Sequence, residues 1–248
     1  MLNKKFRILL KKFLTRRRLV MDSKTMHYIF LFSFFLVLLF PQSFSQNKKI
    51  KRYLFENAYI EKTSTVISPA MESTTTEKIY ITEWGNKEAH YKNEIRNIKM
   101  MNKKEESKSV SIVDGNWLIN YDPDKKTGTK MKNPFYDKFA GKSEKELKDF
   151  SKNLSDAFGI DVKKVGTEKI LGKTCDVMEG KTDLGGIKSK SKMWVYKSFP
   201  LKTDTEAMGT KTSEVAKVFK EDFSPDGKFF IVPKNIKLTE LKIPTKNK

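Results

Sequence analysis

The feature that most restricts the fold of this chain is the period-two rhythm of its side chains from Tyr53 onward, broken at short intervals by turn-forming residues. Successive side chains of a strand point to opposite faces, so alternating apolar and polar residues mark strands half-buried in a sheet. Tyr53–Ile67 reads as one long strand closed by Ser68-Pro69, and Lys78–Trp84 as a second ended by Gly85-Asn86. Glu88–Lys92 fits its hairpin partner, while the charged, Met-containing stretch Glu94–Lys108 has no assignable period. Asp114-Gly115-Asn116 separates Val110–Val113 from Trp117–Tyr121. That is a tight-hairpin signal, since Asp and Gly both tolerate positive φ. Thr129–Lys132 returns as a strand after the turn Asp122–Gly128. Further strands fit Val162–Lys169, Thr174–Glu179, Lys192–Tyr196, Leu201–Ala207, Ser213–Phe223, Phe229–Val232 and Ile236–Leu241.

One segment breaks the rhythm. Ser143-x-x-Glu146 is a capping box, in which the Ser side chain and the Glu side chain each satisfy a backbone N–H of the first helical turn. Leu147, Phe150, Leu154 and Phe158 follow at helical spacing, with Lys145, Lys148, Asp149, Lys152 and Asp156 on the opposite face and Gly159 as the stop. A shorter helical turn over Phe135–Phe139 fits in front of it. The fold expected is therefore mainly β with one or two helices: a half-open antiparallel β-barrel, or strongly curved sheet, capped by helices.

The N-terminus sets the compartment. Basic residues run from Lys4 to Lys24, the apolar stretch Tyr28–Phe40 follows, and Pro41 and Ser43-Phe44-Ser45 close the segment. A basic head, a short apolar core and a small-x-small exit make a secretory signal peptide. Its 13 apolar-core residues are fewer than the roughly 20 of a spanning helix. Residues 1–45 are read as a signal peptide with a long basic leader, and 46–248 as a single exported domain cleaved before Gln46. An uncleaved anchor is the alternative, and Met1, Met21 and Met26 remain open as start sites.

Without the leader the chain holds 41 basic and 29 acidic residues. The excess is almost all Lys, evenly spread, as on a solvated surface. In an exported protein it favours lipid headgroups or envelope polysaccharide over nucleic acid. Cys175 is the single cysteine, which excludes an intramolecular disulfide, and its place in Thr174-Cys175-Asp176-Val177 reads as a buried small hydrophobe.

The chemical inventory is thin. His90, the one histidine outside the leader, stands in a strand pattern with no nucleophile or ligand set spaced around it and reads as a surface strand residue. Asp122-x-Asp124 with Gly128 fails as a calcium loop because Lys126 and Gly128 occupy later ligand positions and no Glu closes it. No metal, cofactor or catalytic residue is assigned. What remains is apolar: Trp84, Trp117 and Trp194, and seven Met from Met71 to Met208, which pack a core or line an adaptable cavity.

Five stretches belong together: Asp114–Asp122, Lys130–Pro134, Ile170–Val177, Lys192–Tyr196 and Phe230–Pro233. In this order they resemble exported bacterial proteins of the LolA/LolB-like lipoprotein-carrier group, over roughly residues 53–241. The resemblance implies a half-open barrel with a hydrophobic cavity that takes acyl chains across the periplasm. Neither Arg52 nor Arg96 aligns with the functional arginine of the carriers, and no lipid-anchored N-terminus is present, so no ligand-contact residue is carried over. The reading that follows is a monomeric periplasmic or envelope protein that binds a lipid or acylated protein, with the membrane surface as a further partner, and does no chemistry. Alternation places Trp117, Ile119, Tyr121, Met193, Val195 and Phe230 toward the cavity, with Leu147, Phe150, Leu154 and Phe158 plugging its mouth. The opposite parity, with Leu118, Trp194 and Tyr196 inside, stays open. The alternative function is a non-enzymatic interaction module whose packed barrel binds anionic polymer or a membrane surface.

Overall fold

The structure is a computed structural model that describes residues 51–133, 160–184 and 187–241, together with Tyr136, Glu146 and Asp149. The described residues form twelve strands. The first six are β1 (Ala58–Ile67), β2 (Met71–Thr82), β3 (Lys87–Ile98), β4 (Lys103–Asp114), β5 (Trp117–Asp122) and β6 (Thr127–Lys132). The second group is β7 (Ile160–Ile170), β8 (Lys173–Leu184), β9 (Ile187–Tyr196), β10 (Phe199–Ala207) and β11 (Thr210–Glu221), and β12 (Lys237–Leu241) ends the series. All twelve join one curved, unclosed sheet in the order β12-β6-β5-β4-β3-β2-β1-β11-β10-β9-β8-β7. Two meanders, β1–β6 and β7–β11, are thus zipped together through β1 and β11. Every pairing is antiparallel except that of β12 with β6.

The inner face of this sheet can be followed by register. Along β1 it carries Ala58, Ile60, Lys62, Ser64 and Val66, all buried. Ile60 faces Ile79 on β2 and Phe219 on β11. The largest core cluster forms here, with Ile60, Ile79, Ile81, Leu201 and Ala216 joined by Tyr53, Phe55 and Phe199. Bulges interrupt the alternation at Glu61/Lys62, Lys164/Gly166 and Pro200/Lys202. An inserted residue bends and twists a strand, which is how a wide sheet acquires curvature. Beyond the bulges, Met193, Trp194 and Val195 are buried in succession: Trp194 enters the first cluster with Cys175 and Val177, while Met193 and Val195 pack with Ile160 in a second. Strand β9 is therefore covered on both faces.

The C-terminal segment explains the third cluster. After β11 the chain crosses the outer face of β1–β5. There Phe229 stacks on Tyr80 with ring centroids 3.8 Å apart and accepts, through its carbonyl, a 2.8 Å hydrogen bond from the Tyr91 hydroxyl. Phe230, Val232, Ile236 and Leu238 pack against Ala89, Val110, Ile112 and Tyr121, and β12 then pairs with β6. This strap covers the apolar outer face of a sheet that would otherwise be wet.

Several boundaries differ from the sequence reading. Tyr53–Asn57 is not strand: the Arg52 and Tyr53 N–H groups donate to the Trp84 carbonyl and the Leu54 N–H to the Lys197 carbonyl, so the segment folds across the end of the sheet. Phe229-Phe230 lies in a 3₁₀ turn, capped by Asp226, not in a strand. The unassigned stretch Glu94–Lys108 holds the tip of the β3–β4 hairpin, with Asn102 in the left-handed region. The Asp114-Gly115-Asn116 hairpin is where it was expected, with Gly115 at φ 56°. Glu146 and Asp149 are helical and exposed; Leu147, Phe150, Leu154 and Phe158 lie outside the described residues.

Gly128 supports a first test. A Cβ there would lie 2.4 Å from the Asn120 carbonyl oxygen and 2.8 Å from the Tyr121 Cα, both backbone atoms of the paired strand. Gly128→Ala is expected to destabilise the protein by about 1–3 kcal/mol through this overpacking, read as a lower urea midpoint at unchanged slope. A neutral result would mean that the β5–β6 pair separates freely.

Candidate functional site

The inner face of β3 carries Glu88, His90 and Lys92 at alternate positions, directly opposite Ile81, Ile79 and Glu77 of β2. Such a row of charges on a buried face needs partners, and each has one. Arg52, brought over the sheet end by the segment before β1, places Nη1 2.8 Å from Glu88 Oε2 and donates to the Gly85 carbonyl. The Tyr53 hydroxyl donates to Glu88 at 3.2 Å. His90 bridges two carboxylates, with Nε2 2.5 Å from Glu88 Oε1 and Nδ1 2.7 Å from Glu77 Oε1. Lys92 Nζ lies 3.1 Å from Glu77, and one strand over Lys62 pairs with Glu214 at 2.5 Å. The result is a ladder of alternating charge across β11, β1, β2 and β3, ending on Arg52.

Its titration follows from this geometry. Burial alone would raise the Glu88 carboxyl, but the Arg52 guanidinium and the His90 ring bring it down to about 2. Burial alone would lower His90, yet the two flanking carboxylates push it up to about 9. Glu77 is held well below the usual carboxylate range against its own desolvation, by Lys92 and His90. Burial, with the neighbouring Glu88, keeps the Tyr53 phenol far above its usual value. Doubly engaged and protonated, His90 has no lone pair free to act as a base. The sequence reading of His90 as a surface residue is corrected here: its side chain is 15% exposed. The signal that was available is the Glu88-x-His90-x-Lys92 alternation itself, which puts three charges on one face of a strand.

The residues assigned to a cavity fall in three places. Tyr121 is buried, and Ile119 and Phe230 pack against its cluster beneath the C-terminal strap. Met193 and Val195 are buried in the separate cluster of Ile160. Trp117 belongs to neither and lies under the Lys130 ammonium, 5.0 Å from the ring centroid. The opposite-parity residues Trp194 and Tyr196 belong to or pack on the main core. Cys175 is fully buried there. Asp122 accepts from the backbone N–H groups of Asp124 and Lys125, the geometry of a turn. Among the described residues no group of three His, Cys, Asp or Glu side chains is placed to hold a metal ion.

A second feature is the rim where hairpins β3–β4, β1–β2 and β10–β11 turn. These three are adjacent in the sheet. The β3–β4 and β1–β2 tips are tied together by the Lys99 N–H donating to the Ala70 carbonyl at 3.0 Å. They present Met100 and Met101, 87% and 67% exposed, with Ile67 and Met208 about half exposed alongside.

No family model matches the chain, and no curated protein matches it in sequence. Solved structures do resemble it. An uncharacterized conserved protein from Thermus thermophilus is 8% identical with a TM-score of 0.47, over 78% of this chain and 95% of that one. A putative outer membrane lipoprotein-sorting protein domain from Vibrio parahaemolyticus is 12% identical with a TM-score of 0.32, over 71% and 89%. LprF from Mycobacterium bovis is 9% identical with a TM-score of 0.34, over 70% and 90%. The Vibrio domain is a protein of the kind that the sequence motifs resemble. At these scores no function passes from any of the three to this chain.

Proposed function

We propose that this is an exported envelope protein that binds a lipid or lipidated ligand and works against a membrane surface, without catalysing a reaction. The observation that carries the reading is the apolar rim: four large side chains on the tips of three adjacent hairpins, in contact with solvent. Scattered exposed apolar residues are ordinary, but several gathered on neighbouring turns at one end of a sheet suit a contact surface. Narrow hairpin tips suit insertion between headgroups better than docking on a flat protein face. The export signal expected from residues 1–45 brings such a rim to a membrane. Trp117, Ile119, Tyr121, Met193, Val195 and Phe230 do not form one lining. The proposed holding surface for an acyl chain is therefore one of their groups, Ile119, Tyr121 and Phe230 beneath the strap or Met193 and Val195 beside Ile160, with Leu147, Phe150, Leu154 and Phe158 as its proposed cover. Each CH₂ buried there would contribute about 0.8 kcal/mol.

The test is to purify the exported protein without detergent, extract it with organic solvent and quantify lipids by mass spectrometry. A near-stoichiometric acylated species is expected; clean protein would overturn the ligand half of the proposal. For the membrane half, Met100→Ser/Met101→Ser is expected to weaken binding to phosphatidylglycerol-containing vesicles about tenfold or more. Unchanged flotation would remove the rim from the mechanism.

A further inference from the structure

A cleft of about 320 Å³ opens on the outer face of β1–β4, beside the C-terminal strap. Two neighbouring rows of the sheet make its floor. Glu61, Lys78 and Tyr91 are direct register partners in one, and Thr63, Thr76 and Asn93 in the next, which Lys108 extends onto β4. Lys217 reaches the same cleft from the β11 side, where the bulge opposite Glu61/Lys62 displaces it from the regular pairing.

The charges here are unlike those of the inner face. Lys62, Glu77 and Lys92 border the cleft, but their side chains are engaged in the buried ladder. Lys78 and Lys217 are exposed and have no ion-pair partner among the described residues. Lys108 has, among the described residues, only Asp124, 3.4 Å away and well exposed, which is a weak pair. Against these three cations stands Glu61, which accepts a hydrogen bond from the Tyr59 hydroxyl. Between the cations lie two hydroxyls and an amide, groups that both donate and accept hydrogen bonds. Tyr91 forms a fixed wall, since its hydroxyl is committed to the Phe229 carbonyl.

We infer that this cleft is a binding site for an acidic oligosaccharide. Unpaired ammonium groups select negative charge, the Thr63, Thr76 and Asn93 side chains match sugar hydroxyls, and the rigid tyrosine edge gives a ring something to lie against. The floor crosses four strands spaced about 4.8 Å apart, long enough for a chain of sugars and longer than a single small anion needs. Nucleic acid is the less suitable polyanion, because the cleft offers no arginine fork for bidentate phosphate contact. The inference does not rest on the lipid reading, and either can fail while the other stands.

Calorimetric titration of the exported protein tests it, with a heparin hexasaccharide, the neutral maltohexaose and a short oligothymidylate as probes. The heparin hexasaccharide is expected to bind saturably, maltohexaose much more weakly, and oligothymidylate more weakly than heparin. Lys78→Gln/Lys217→Gln should weaken heparin binding about tenfold. The charge-matched control Lys163→Gln/Lys169→Gln, on exposed β7 positions away from the cleft, should change it by less than about twofold. Asn93→Ala should weaken binding at high salt, where long-range attraction is screened. An equal loss in the control pair, oligothymidylate binding as tightly as heparin, or no heparin binding would each overturn the inference. Thermal unfolding of every variant separates loss of the site from loss of fold.

Discussion

Glu88→Ala is expected to lower the unfolding free energy by about 3–5 kcal/mol, the cost of removing one partner from a buried charge pair. The glutamate is 1% exposed and compensates two cations at once, Arg52 at 2.8 Å and the protonated His90 at 2.5 Å. Without it those cations face each other across a desolvated gap, and the Tyr53 hydroxyl loses its acceptor. Glu88→Gln keeps the volume and should cost nearly as much, because the missing quantity is charge. A double substitution Arg52→Met/Glu88→Leu should recover much of the loss, since apolar packing can replace a buried ion pair at little net cost. Urea unfolding of the three variants is the measurement. A cost below about 1 kcal/mol for Glu88→Ala would mean that water reaches the ladder freely. Such a result would return the row to the solvated surface that its sequence first suggested.

The same ladder marks how far the sequence could be read. Alternation identified most strands correctly because strand faces differ in polarity, and Asp114-Gly115-Asn116 located a hairpin because its backbone demands positive φ. It failed where a strand has no apolar face to announce it. The paired residues between Glu94 and Lys108 are polar apart from Ile95 and Ile98, which fall on opposite faces, so the pairing comes from backbone hydrogen bonds and neighbours that the local sequence does not encode. Parity failed as a guide to the inside for a related reason. Met193, Trp194 and Val195 are all buried because bulges shift the register and different clusters cover the two faces of β9, so no choice of odd or even residues selects the interior. The strap is a similar case: Phe229-Phe230-Ile231-Val232 has strand composition, yet its first two residues lie in a 3₁₀ turn and the segment pairs with no strand, because Tyr80 and Tyr91 offer a stacking partner and a donor. The charged site was half legible. Glu88, His90 and Lys92 share a strand face by spacing, whereas Arg52, Glu77 and Glu214 arrive from three separate stretches of chain through tertiary pairing.

Alkaline pH is expected to weaken the fold through His90. Its folded value of about 9 lies above the ordinary 6.5. The stabilisation from its two carboxylates is therefore complete below pH 6.5 and is lost as pH rises through 9. A shift of this size corresponds to about 3 kcal/mol. The Glu88 carboxyl gives the acid limb: lowered from 4.5 to about 2, it contributes fully above pH 4.5 and loses its contribution as pH falls through 2. Both shifts describe one set of contacts, so their energies are not added. The network is at full strength between about pH 4.5 and 6.5, and unfolding free energy should decline from there toward pH 9. His90→Gln should flatten that decline by removing the proton that the native state holds. In residues 46–248 His90 is the only histidine, so a single imidazole resonance reports its titration directly. A midpoint near 6.5 in the folded protein would show that the carboxylates do not hold the proton, and the alkaline loss should then vanish with it.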